Sequence, residues 1–144
     1  MYMLNETAIF VLPVVNYDGY LKISDSYTNN NKTLINISKN LNIYESQLGK
    51  CENVGVDLNS NYGFNFASDD IGSSSDPCND HYRGPNAFSE PETTAIKGFL
   101  EKWTNIKIAI NLQSFGNFFI HPFNYDNGPN TLLHQTYPTA DKFY

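Results

Sequence analysis

Few residues in this chain have types and spacing that could do chemistry. The segment IKIAINLQSFGN, residues 106–117, runs from alternating apolar residues into a polar corner. Functional side chains are often carried where a regular element gives way to a loop. The corner holds Gln113 and Ser114. A glutamine amide exchanges hydrogen bonds but takes no proton. Ser114 has neither a Gly-x-Ser-x-Gly elbow nor an adjacent base, so it does not read as a nucleophile. In DLNSNYGFNFASD, residues 57–69, Asp57, Asn59 and Asn61 match the first, third and fifth positions of a calcium loop. The match fails at Tyr62, where glycine is needed, and at Ser68, where glutamate is needed. His81, His121 and His134 share no short metal-binding spacing with one another or with the cysteines.

The elements that would position such residues are sparse. Residues 8–15, AIFVLPVV, form a continuous β-branched apolar run that fits a strand buried on both faces. NYDG, residues 16–19, is a turn by composition. Residues 29–47 and 72–79 read as loops. Ser89-Glu90-Pro91-Glu92 predicts a helix start with Ser89 as the cap and proline in the first turn. Ala95, Ile96, Phe99, Leu100 and Trp103 then recur at helical spacing. Ile106, Ile108, Ile110 and Leu112 alternate as a second strand. Strand, helix, strand predicts an α/β sheet with a right-handed crossover.

A length of 144 residues allows one domain. The net charge of −6 argues against nucleic acid or anionic membrane as partners. The longest clean apolar run is too short for a membrane span, and no secretory signal is visible at the start. Cys51 and Cys78 suit either a disulfide or two reduced thiols. Sequons stand at Asn5, Asn31 and Asn36, about the number that the heavy use of asparagine gives by chance.

Four segments in order change this reading. LPVVNYDGY (12–20), GVDLNSNYGF (55–64), PCNDHYRGPNAFSEPET (77–93) and IKIAINLQSFGN (106–117) together resemble the catalytic domain of zinc metallocarboxypeptidases of the A/B type. The match runs from about residue 8 to 123. The resemblance implies a mixed, largely parallel sheet with helices on both sides, of which residues 1–144 form a single partial domain. The N-terminal and C-terminal parts of the family domain are expected to be lacking. It also implies removal of C-terminal residues from peptides, with a zinc ion polarising water and carbonyl, a glutamate as general base, and arginines gripping the terminal carboxylate.

Carried over residue by residue, the resemblance predicts loss of that chemistry. Two zinc ligands of the family would lie upstream of residue 8. The third, a histidine, corresponds to Gln113. In the carboxylate-binding motif Asn59 is kept, but Ser60 stands at the arginine position. Asn31 stands at a second arginine position. The general base and a substrate-covering tyrosine would lie beyond HPFNYD, and nothing like them precedes Tyr144. The chain is therefore expected to be truncated or degenerate, inactive, and without bound zinc. The alternative is a module in which Asn59, Ser60, Gln113 and Ser114 hold a peptide or glycan without cutting it. The resemblance also implies a disulfide between Cys51 and Cys78, an extracellular, secretory or lysosome-like setting, and missing segments of the same domain as partners. Exposed strand edges should leave the isolated polypeptide marginal or prone to associate.

Overall fold

The computed structural model describes residues 7–29 and 38–113. They fall into two units, divided between Trp103 and Thr104. Helix α1 spans Tyr17–Asn29, a 3-10 turn spans Leu58–Ser60, and helix α2 spans Pro91–Lys102. No helix among the described residues is long and apolar enough to cross a membrane.

NYDG begins α1 and is not a free turn. Asn16 caps the helix: its Oδ1 accepts from the Gly19 N–H at 3.0 Å, while its Nδ2 donates to the Lys39 carbonyl at 2.9 Å. Any Cβ on Gly19 would lie 2.5 Å from the Asn16 amide, so the close cap needs glycine. Composition alone does not distinguish such a cap from a turn, because asparagine serves both.

The one predicted helix forms as α2, with Pro91 in its first turn and Lys102 in its last. Its cap is Glu90, one residue later than expected, in an extended conformation and with no side-chain capping bond. Ser89 is drawn away because its hydroxyl donates to Glu90 Oε1 at 2.6 Å. The apolar face gathers Phe10, whose ring lies 5.2 Å from Phe99 and 5.4 Å from Trp103. Phe99, Leu100 and Trp103 nevertheless remain exposed.

Neither predicted strand forms among the described residues. The run at 8–15 is unpaired, and Val11 is 77% exposed. Residues 106–112 are also unpaired, with Leu112 86% exposed. A strand exists through its partners, and the described residues supply none to either segment. Among the described residues, strand pairing is limited to two single-residue bridges, antiparallel between Lys39 and Asp57 and parallel between Ser74 and Tyr82.

The first unit is held by polar groups inside its loops. Val56, Leu58 and Tyr82 are its buried hydrophobic residues, whereas Asn40, Gln47, Asn61, Glu90 and Thr93 are more deeply enclosed than Leu58 or Tyr82. Gln47 Nε2 donates to the carbonyls of Gly55 and Pro77, both at 2.8 Å, and its Oε1 accepts from the Tyr44 and Gly55 N–H groups. Gly55 has φ +96°, and a Cβ there would fall 1.8 Å from the Asn40 carbonyl oxygen. Arg83 ties down the loop at residues 69–73 by donating to the Asp69 carbonyl, the Ser73 hydroxyl and the Asp70 carboxylate. Cys51 and Cys78 are disulfide-bonded, as the resemblance implied. Closing a loop with 27 residues of separation stabilises the fold by about 3–4 kcal/mol through the unfolded chain.

Candidate carboxylate-binding turn

The turn carrying Asn59 and Ser60 is built by the residues on either side. Asp57 caps it: Oδ1 accepts from the Asn59 N–H at 3.1 Å, and Oδ2 accepts from the Ser60 hydroxyl at 2.8 Å. The His81 Nδ1 lies 3.5 Å from the same Oδ2. Asp57 is buried, Ser60 half-buried and Asn59 exposed. The calcium-like positions are thus engaged in making the turn, with Asp57 as cap and Asn61 as anchor.

Asn61 is fully buried. Its Nδ2 donates to the Arg83 carbonyl at 2.8 Å, the Asn86 carbonyl at 3.1 Å and the Ser89 hydroxyl at 2.9 Å. Its Oδ1 accepts from the Thr93 hydroxyl at 2.6 Å and the Glu90 N–H at 3.3 Å. One carboxamide therefore fixes the end of the turn to the start of α2. Such a fully satisfied buried group rigidifies its surroundings, because each lost bond would strand a partner.

Behind the turn lies a cluster that the sequence did not announce. Glu90 is fully buried. Its Oε2 accepts from Asn40 Nδ2 at 2.7 Å and Asn42 Nδ2 at 2.9 Å, and its Oε1 from the Tyr44 and Ser89 hydroxyls, each at 2.6 Å. Burial alone pushes this carboxyl up, but bonds from Ser89, Tyr44, Asn40 and Asn42 outweigh it and hold it below its usual range. Burial, followed by the bond to Glu90, pushes the Tyr44 phenol up to about 12. The Lys39 ammonium is drawn down by burial, against the opposing pull of Asp80, Asp57 and Asp76. In the sequence Glu90 reads only as part of a helix-start signature, and nothing marks Asn40 as its partner.

The sequence-selected residues are only partly brought together. Asn59 and Ser60 share one turn. Gln113 is exposed and belongs to the second unit. Asn31 and Ser114 lie outside the described residues. Among the described residues, no group of three or more His, Cys, Asp or Glu side chains is placed to hold a metal ion.

A family model described as zinc carboxypeptidase matches residues 2–142. The chain belongs to the zinc carboxypeptidase family. Human mast cell carboxypeptidase A is 37% identical over 124 residues, which is 85% of this chain and 27% of that protein. Mouse carboxypeptidase A2 is 36% identical over 123 residues, 85% of this chain and 26% of that protein. The chain thus spans about a quarter of the length of these relatives. Among solved structures, carboxypeptidase A from Helicoverpa armigera gives a TM-score of 0.46 at 34% identity, covering 63% of this chain and 19% of that one. Bovine thrombin-activatable fibrinolysis inhibitor, in complex with a tick carboxypeptidase inhibitor, gives 0.45 at 34%, covering 62% and 26%. Zinc is the cofactor of this carboxypeptidase family.

Proposed function

We propose that this chain is a partial, degenerate zinc carboxypeptidase domain that keeps the framework of a peptide-carboxylate site and lacks its charges. One observation carries the reading. Ser60, at the position the resemblance gives to arginine, turns its hydroxyl 2.8 Å onto Asp57 within its own turn. An arginine there would present a planar, permanently charged fork that matches a carboxylate with two bonds. A serine offers one neutral donor, and this one is already used. Gln113, read as standing at a zinc-histidine position, is a weak ligand on chemical grounds. Both changes remove charge or metal affinity, while Asp57 and Asn61 keep the turn in shape.

The peptide C-terminus is accordingly the ligand for which the framework is shaped, and neither hydrolysis nor zinc retention is its present activity. The segments at 8–15 and 106–112 would complete an α/β sheet only against further strands of the same domain. The disulfide favours an oxidising compartment of the secretory or lysosomal kind.

The test uses the purified chain with zinc and a chromogenic peptide that has a free C-terminus. Hydrolysis should not exceed the buffer rate, and zinc should be lost on gel filtration. Ser60→Arg should bind the free peptide acid more tightly than its C-terminal amide. Turnover or stoichiometric zinc in the unmodified chain would refute the proposal. Equal binding of acid and amide by Ser60→Arg would show that the turn is not a carboxylate framework.

A further inference from the structure

The disulfide sits in a cleft that the carboxylate reading leaves unused. The cleft has a volume of about 580 Å³, and Lys50, Glu52, Asp80 and His81 line it beside both cysteines. Cys78 is exposed and Cys51 half-buried. The Cys78 backbone is presented on a tight turn, its N–H donating to Asp76 Oδ1 at 2.9 Å.

The two loops joined by the disulfide are also clasped without it. Lys39 Nζ donates to the Asn53 carbonyl at 3.1 Å and the Pro77 carbonyl at 3.3 Å. Gln47 Nε2 bridges the Gly55 and Pro77 carbonyls. Asn53 Nδ2 donates to Asp80 Oδ1 at 3.0 Å. Lys39 and Gln47 are buried, so water does not readily take their place.

We infer that the Cys51–Cys78 disulfide is a thiol-exchange site, opened by a small zwitterionic thiol while the surrounding loops stay docked. The mixed lining of one ammonium, two carboxylates and an imidazole suits a thiol that carries both signs of charge. Its thiolate attacks Sγ of Cys78, the more exposed of the two residues. A new S–S bond forms there, the Cys51–Cys78 bond breaks, and its electron pair goes to Cys51 Sγ, which takes a proton from water. A second thiolate attacks the sulfur of the first thiol, and the Cys78 thiolate leaves and is protonated. Overall, two small thiols are oxidised to their disulfide, and the protein disulfide gains two electrons and two protons.

Glutathione is the probe. The oxidised chain is incubated with reduced glutathione in native buffer, quenched with acid, alkylated and mapped by mass spectrometry. The adduct on Cys78 should exceed that on Cys51 by at least about tenfold, because Cys78 is the more exposed residue. Hydrogen exchange should show the Val56 and Asp57 amides, bonded to Asn40 Oδ1 and the Tyr82 carbonyl, still protected in the reduced chain, their protection lowered by no more than the ~10²–10³-fold that freeing the unfolded chain accounts for. In Lys39→Met, compared with its own oxidised form, the fall on reduction should be at least about tenfold larger than in the wild type. Adducts that are equal on the two cysteines or favour Cys51 would overturn the inference. So would reduction only in denaturant, a fall beyond ~10³-fold in the reduced wild type, or a fall in Lys39→Met no larger than in the wild type.

Discussion

Removing the Glu90 side chain tests whether a buried carboxylate with neutral donors organises this molecule. In Glu90→Ala, four donors lose their acceptor. Asn40 retains Glu92 at 3.2 Å, and exposed Asn42 turns to water. The Tyr44 and Ser89 hydroxyls, half-buried and bonded at 2.6 Å, have the most to lose. A stranded buried donor costs about 1–3 kcal/mol, so the loss should be about 3–4 kcal/mol. Glu90→Gln is gentler. Its amide oxygen can face Asn40 and Asn42, while its NH2 donates to the two hydroxyl oxygens, whose own protons lose the acceptor they had in Glu90. With the charge assistance also gone, that change should cost about 2 kcal/mol.

Urea unfolding followed by circular dichroism from about pH 7 to about pH 3 separates these effects. The folded carboxyl is held below its ordinary range, so its stabilisation is complete above that range and falls as pH drops through the folded value. Glu90→Gln should flatten this acid slope. The Tyr44 phenol, pushed up to about 12 when folded, should give a separate loss on the alkaline side, beginning near its unfolded value of about 10. Glu90→Ala within about 1 kcal/mol of the wild type, or Glu90→Gln with an undiminished acid slope, would refute the reasoning.

Gly55→Ala should destabilise the first unit by about 3 kcal/mol or more in the same urea assay, because it combines a positive φ with a Cβ only 1.8 Å from the Asn40 oxygen; wild-type stability would contradict that geometry. The isolated chain should elute above monomer size and bind a hydrophobic dye, since Phe10, Phe99, Leu100 and Trp103 are exposed. Phe99→Glu should shift it towards monomer, and a dye-silent wild-type monomer would count against this expectation.

Much of the local structure was legible because it depends on near neighbours. Proline and the spaced apolar residues after it located α2, and the family resemblance paired Cys51 with Cys78. The strands at 8–15 and 106–112 were read from patterns that describe a buried environment, but the described residues provide no such environment. Asn16 was read as a turn because its helix-capping bond depends on the conformation of Gly19. Around the candidate turn, Asp57, Asn59, Ser60 and Asn61 were visible as motif positions. The burial of Asn61 and the Glu90 cluster were not, because amides and carboxylates ordinarily face solvent. Their burial depends on partners as distant in sequence as Asn40 and Glu90.

An interior rich in carboxamides also has a calorimetric consequence. Exposing apolar surface raises heat capacity on unfolding, whereas exposing polar surface lowers it. The loop core releases Val56, Leu58 and Tyr82 together with Asn40, Gln47, Asn61, Glu90 and Thr93, so these contributions oppose each other. The first unit should therefore unfold with an increment below the usual ~12–15 cal/mol/K per residue. Its stability would vary gently with temperature, and cooling would weaken it less than a core of leucine and valine.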